Sequence, residues 1–305
     1  MSVLVVEREN VTVLSTNLEK TDDGIDIYDD TVTYNVDKEI QKDGDIYVSL
    51  KDNITSLNLP VPGHTTLYWK YKRKVNYLRC FDPMMNTATK NANKIEYIVA
   101  SRYTDTIGFF GLEAQSIKIE IFNFDDETMD TPLKIYEEIT AKRDVYNYTS
   151  YATALPEFQR VLAVDIFAYP NAKLKITMSS VDATVSIGNI VYGRKYDLGL
   201  MLSEPKPILS TRNIFSKERD ATTGEIQVTP TIIYKELTMN VITSTSGIER
   251  TENKLEQLNG KACLFIGLRK SDSLPNIMIY GFHEDFDTAI GLDHTIREIT
   301  IKGVF

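Results

Sequence analysis

The sequence predicts a mostly β protein: a jelly-roll-like, galactose-binding-like β-sandwich followed by a β-sheet domain with one packed α-helix. Three observations predict it. Ile117, Ile119 and Ile121 alternate without a fault against Lys118 and Glu120, the period-two signature of a strand with one buried face. Six such runs recur between residues 95 and 193, with turn residues between them. The chain also holds 17 Tyr and 12 Phe beside one Trp, a bias that suits strands better than helices.

Residues 1–63 read as a short N-terminal β module. Residues 3–6 and 11–14 are short apolar β runs, and Asp22-Asp23-Gly24 is a turn. Asp22, Asp23, Asp26, Asp29 and Asp30 form an acidic cluster without the ordered D-x-[DN]-x-[DN]-G spacing of a calcium loop, which makes it a solvated acidic loop. A turn over residues 42–45 leads into a strand at 46–50. Residues 53–62, punctuated by Pro60 and Pro62, read as loop.

Residues 64–193 are assigned to the sandwich. They open on HTTLYWKYKRKVNYLRCFDP, where Lys70, Lys72, Arg73, Lys74 and Arg79 interleave with Tyr68, Trp69, Tyr71 and Tyr77. Rings among cations are what single-stranded nucleic-acid grooves use. A net charge of −9 argues against that use here, and equally against an anionic membrane surface. Two readings remain for Trp69, Tyr68 and Tyr71: an exposed rim carrying partner contacts, or rings that stack on a sugar. The strands follow at 95–99, 117–121, 133–139, 161–169, 174–178 and 185–192, with Asp125-Asp126, Pro156, Pro170-Asn171 and Gly188 at the turns.

Residues 194–223, with Gly193, Gly199, Pro205 and Pro207 in or beside them, read as an irregular crossover arm. Residues 224–305 are the C-terminal α+β domain. Leu237, Met239 and Val241 alternate as a strand. Ser246 and Glu249 then have capping-box spacing, and Ile248, Thr251, Leu255 and Leu258 recur at helical spacing up to a left-handed stop at Asn259-Gly260. Apolar strands at 262–268 and 277–282 flank the loop RKSDSLPN, and a strand at 295–304 closes the chain.

Catalytic signatures are missing: there is no G-x-S-x-G, H-E-x-x-H, phosphate loop or G-x-G-x-x-G, so no catalytic residue and no cofactor is assigned. His283, Asp285 and Asp287 would share one face of a regular strand, but this is also a common surface pattern and no metal is assigned. Cys80 and Cys263 lack metal-type spacing and read as free thiols of a reducing compartment. The sequons at Asn10, Asn53 and Asn147 are then chance matches. No apolar run is long enough for a transmembrane helix, so no membrane insertion is expected.

The run of helix, LNGKACLFIGL, short polar loop, IYGFHEDF and final I-x-I-x-G strand resembles the C-terminal part of tailed-bacteriophage virion proteins of the tail, hub or carbohydrate-binding-like kind. Asn58, Pro60 and Trp69 resemble the loop that leads into their jelly roll; Trp69, Asn76 and Phe81-Asp82 resemble a further W…TN…FD run, from which Tyr77-Leu78-Arg79-Cys80 departs. The resemblance implies a non-enzymatic virion component, an oligomeric ring, hub or collar protein of the tail. It would be assembled in the host bacterial cytoplasm, with itself and other tail proteins as partners. The alternative is a host-recognition module whose jelly roll binds a surface glycan.

Overall fold

A computed structural model describes residues 2–52, 65–82, 87–142, 157–219, 226–268 and 277–304. The architecture is mostly β, with sheets packed sandwich-fashion and one short helix in the C-terminal region. The 53–62 and 269–276 loops, the sequons at Asn53 and Asn147, and the turn at Pro156 lie outside the described residues.

Strand β1 (Ser2–Glu7) is followed by β2 (Val13–Thr16) and by a small sheet of order β3-β4-β5-β6, comprising Asp26–Ile27, Glu39–Lys42, Asp45–Ser49 and Trp69–Lys74. A 3-10 turn at Asn76–Phe81 leads into β7 (Thr89–Ser101), β8 (Thr106–Phe110), β9 (Ser116–Asn123) and β10 (Lys134–Ile139). A short pair, β11 (Ala141–Lys142) and β12 (Glu157–Phe158), precedes β13 (Val161–Asp165), β14 (Ala172–Ile187) and β15 (Asn189–Gly193). These build a sandwich: a five-stranded sheet, β10-β9-β14-β7-β2, over a three-stranded one, β13-β8-β15.

The period-two pattern decides which side chains fill that sandwich. Ile117, Ile119 and Ile121 point in, against Ile107, Phe109, Val164 and Ile190 of the thinner sheet. Lys118 and Glu120 point out and pair at 3.0 Å. Strand β8 has no alternation because both its faces are covered. Ile107 and Phe109 belong to the sandwich core, whereas Phe110 packs the other way, with Val191, Leu264 and Tyr280. Gly108 lies so close to that second layer that a Cβ there would sit 2.6 Å from a Leu264 methyl.

The second layer is the C-terminal unit: β16 (Lys195–Met201), β17 (Ile208–Arg219), β18 (Ile226–Ser244), helix α1 (Ile248–Gln257), β19 (Cys263–Leu268), β20 (Ile277–Ile290) and β21 (His294–Gly303). The expected sheet with one packed helix is present, and it closes on itself. The order β16-β1-β19-β20-β21-β18-β17 carries an extra pairing of β16 with β18, at Leu200↔Ile242 and Met201↔Val241. Six strands thus form a barrel, with β17 appended outside β18. Val3, Val5, Leu237, Met239, Phe265, Ile279, Ile299 and Ile301 fill its interior together with Leu255 of α1 and Leu258 at its C-cap. The alternate residues Val6, Leu264, Ile266, Met278 and Tyr280 face the sandwich.

Chain order and spatial order differ at three places. Strand β1 is not part of a leading module, since it lies between β16 and β19, where Val3 and Val5 complete the barrel core. Trp69 and Tyr71 belong to the small N-terminal sheet, because β6 pairs with β5. Of the 194–223 arm, the described residues 194–219 hold β16 and all of β17 rather than irregular backbone, and 220–223 lie outside the described residues. Gly199, at φ +124°, stands at the barrel seam, where a Cβ would meet Ile242 O at 2.5 Å. Its role is close approach of two strands, not looseness.

Helix α1 starts differently from the capping-box expectation. Thr245–Gly247 form a 3-10 turn, Gly247 is the N-cap, and no side chain caps the first turn; Ser246 Oγ instead lies 3.2 Å from Ser244 Oγ. The left-handed stop at Gly260 is present, at φ +71°. Ser246→Ala is therefore expected to change stability by less than about 0.5 kcal/mol. Leu255→Ala should cost about 2–5 kcal/mol, because Leu255 is fully buried in the barrel core. Paired urea melts of the two variants check this contrast.

Candidate functional site

The aromatic-basic run on β6 is laid out by strand alternation. Trp69 and Tyr71 point inward and are buried, while Lys70 and Lys72 point out. The Trp69 ring meets Tyr34 edge-on at 5.6 Å and Tyr28 at 6.3 Å, and Tyr71 meets Tyr47 at 6.0 Å. Burial raises the Tyr71 hydroxyl pKa well above its ordinary value, with the nearby Asp45 carboxylate adding to the effect. Tyr68 is half-buried beside this cluster, with Lys51 over its ring. For Trp69 and Tyr71, both buried, the expectation of an exposed contact surface is corrected; Tyr68 keeps part of its surface exposed. Trp69 has no accessible face for a sugar or a partner, because its ring is the centre of the small module's own core.

Three of the run's five cations are matched within the chain. Lys72 pairs with Glu39, Lys74 with Asp45 at 2.6 Å, and Arg79 with Asp22. Asp22 also accepts the Asn76 backbone N–H at 2.6 Å, so it is a tie between loop and 3-10 turn rather than a solvated loop residue. Such pairing leaves little free positive charge for phosphates.

Beyond the barrel, β17 and β18 run on with no third described strand beside them. Strand β21 pairs with β18 only from Glu236 to Ser244, yet β17 pairs with it back to Ile226. Residues 211–219 and 226–235 therefore form a two-stranded ribbon about 30 Å long. No protein-family model, curated protein or solved structure matches this chain.

Three clefts meet at the segment after β1, and all three are lined by Glu9 and Asn10. The largest, about 570 Å³, adds Thr12, Ser101, Arg102, Phe124 and Asn171 at one end of the sandwich. Arg8 anchors the segment by donating to the carbonyls of Phe81 and Asp82, the latter at 3.0 Å. Glu7 accepts from Lys254 at 2.7 Å and Lys261 at 2.8 Å. Burial works against its charge, but the two lysine hydrogen bonds outweigh it and hold the carboxyl below its ordinary pKa. None of these junction residues stands out in the sequence, because every partner is distant in the chain.

Glu9 is the reverse case. Burial raises its pKa, opposed by hydrogen bonds from the Arg102 N–H at 3.2 Å and from Thr104. An acid whose pKa is raised on folding costs stability once ionised, and costs nothing below its unfolded pKa. Glu9→Gln is accordingly expected to raise the melting temperature at pH 7. The gain should vanish below pH about 4, which a pH series of thermal melts reads directly.

His283 and Asp287 do not share a face, and the Asp285 side chain lies outside what is described. A register shift between His283 and Phe286 leaves His283 buried and Asp287 exposed. Among the described residues no three His, Cys, Asp or Glu side chains gather as metal ligands. Cys80 and Cys263 are free and buried, and burial pushes both thiols up to about 12. No helix among the described residues is long and apolar enough to cross a membrane.

One buried charge escaped the sequence reading. Arg297 lies fully inside the barrel end, with Nε donating to Thr288 Oγ1 at 3.1 Å and Nη2 lying 3.3 Å from Glu252 on α1. The signal was present: Thr295, Arg297, Ile299 and Ile301 occupy successive inward positions.

Proposed function

We propose that this chain is a non-enzymatic structural subunit of a tailed-bacteriophage virion, an oligomeric ring, hub or collar protein of the tail. The observation that carries the reading is the β17–β18 ribbon. A two-stranded hairpin is marginal in water by itself, and its free edges are a template for pairing with another chain. A ribbon rooted in a closed barrel is a device for reaching a neighbouring subunit while the barrel stays rigid. The C-terminal resemblance to phage tail proteins supports the same reading.

A second reading, glycan binding by the sandwich, is favoured by the cleft at Glu9, where the Phe124 ring, the Asn171 amide and Arg102 lie together. Proteomics of purified particles with copy number tests the first reading: a fixed stoichiometry is expected. Absence from the particle, or turnover of a polysaccharide by the isolated protein, overturns it. A glycan array with Phe124→Ala as the control tests the second.

A further inference from the structure

We propose that β10 is a self-association strand, pairing antiparallel with β10 of a second copy about a two-fold axis through Tyr136. Strand β10 is the outer strand of the five-stranded sheet, and no described strand lies beyond it. It is also unusually apolar for an edge, with Leu133 just before it 47% exposed, Ile135 45% and Ile139 72%. No proline interrupts it.

The backbone is available for pairing. Ile121 O and Gln115 O, six residues apart on one strand and just before it, both accept from the β10 side: from Leu133 N at 2.7 Å and Thr140 N at 3.0 Å. Alternation then gives the bonds to β9 to the even-numbered residues of β10. The N–H and C=O groups of Ile135, Glu137 and Ile139 point away from the sheet, as a further strand requires.

The side chains choose the partner and the register. With Tyr136 opposite its own copy, Lys134 faces Glu138 and Leu133 faces Ile139, each pairing occurring twice by symmetry. Centring on Ile135 or Glu137 also satisfies the backbone but loses both ion pairs. Charges on an edge strand usually guard against pairing. Here the two-fold register turns them into cross-strand attractions, at non-hydrogen-bonded positions where side chains stand closest. The surface is thus complementary to itself, which makes a second copy of this chain the partner.

The test is light scattering of the full chain across a concentration series, with four variants. A dimer is expected for the wild type. Lys134→Glu and Glu138→Lys should each weaken it roughly ten-fold, and the double swap should restore it. Ile135→Pro should abolish it while leaving circular dichroism unchanged, because only an outward N–H is lost. A wild type that stays monomeric overturns the proposal, as does a dimer indifferent to all four variants. The virion reading depends on particle content and on the ribbon, so either can fail while the other stands.

Discussion

Ile119→Asp is expected to abolish soluble expression. Ile119 sits mid-strand in β9, opposite Ile176 on one side and Tyr136 on the other, with 1% of its surface exposed. A carboxylate there has no donor to meet it and no route to water. Burying an unpaired charge costs several kcal/mol even after the group neutralises itself, against a total stability of about 5–15 kcal/mol for a domain. The neighbouring Lys118→Gln is the control, since Lys118 faces solvent and should change stability by less than about 0.5 kcal/mol. The measurement is the soluble fraction after expression. Soluble, folded Ile119→Asp protein would place the isoleucines on the outer face and sink the sandwich register.

Trp69→Ala should cost about 3–5 kcal/mol and melt the four-stranded N-terminal sheet. The ring fills the space among Tyr28, Tyr34, Ile40 and Tyr71, and the residue is fully buried. Because it is the chain's one tryptophan, its fluorescence reports on this module alone in the wild type. Emission should be blue-shifted in the native state and move to the red in a denaturant transition that matches loss of the module. Hydrogen exchange at β4 and β5 follows the same event in the variant. If Trp69→Ala left exchange at β4 and β5 unchanged and removed binding to a ligand, the ring would be a recognition surface after all.

What could be read from the sequence was local. The fault-free alternation at 117–121 placed three isoleucines correctly because one face is core and the other is water. Strand β8 was missed for the opposite reason. Thr106-Ile107-Gly108-Phe109-Phe110 is covered on both faces, so no alternation marks it, and a glycine in its middle reads as a turn. Lys72, Lys74 and Arg79 look free in the sequence because Glu39, Asp45 and Asp22 approach them only through folding. Residues 194–223 read as irregular because glycine and proline are loop signals in a sequence. At the barrel seam Gly199 is instead the condition for two strands to touch. The Ser246 cap failed by one residue, since the 3-10 turn Thr245–Gly247 makes Gly247 the N-cap.

The position of β1 in the barrel bears on how the chain is made. Val3 and Val5 enter the core, but β16 begins some 190 residues later and β19 later still. At about 5–20 residues per second, a ribosome needs roughly 10–40 s to produce the first of these partners. During that interval β1 is an apolar strand with both edges unpaired, while the sandwich between has time to fold. The barrel is therefore the last part to form, and its completion requires closing a loop of the whole sandwich. Chains truncated after residue 194 and released from the ribosome should carry a finished sandwich and a β1 still open to chaperones or to misplaced pairing.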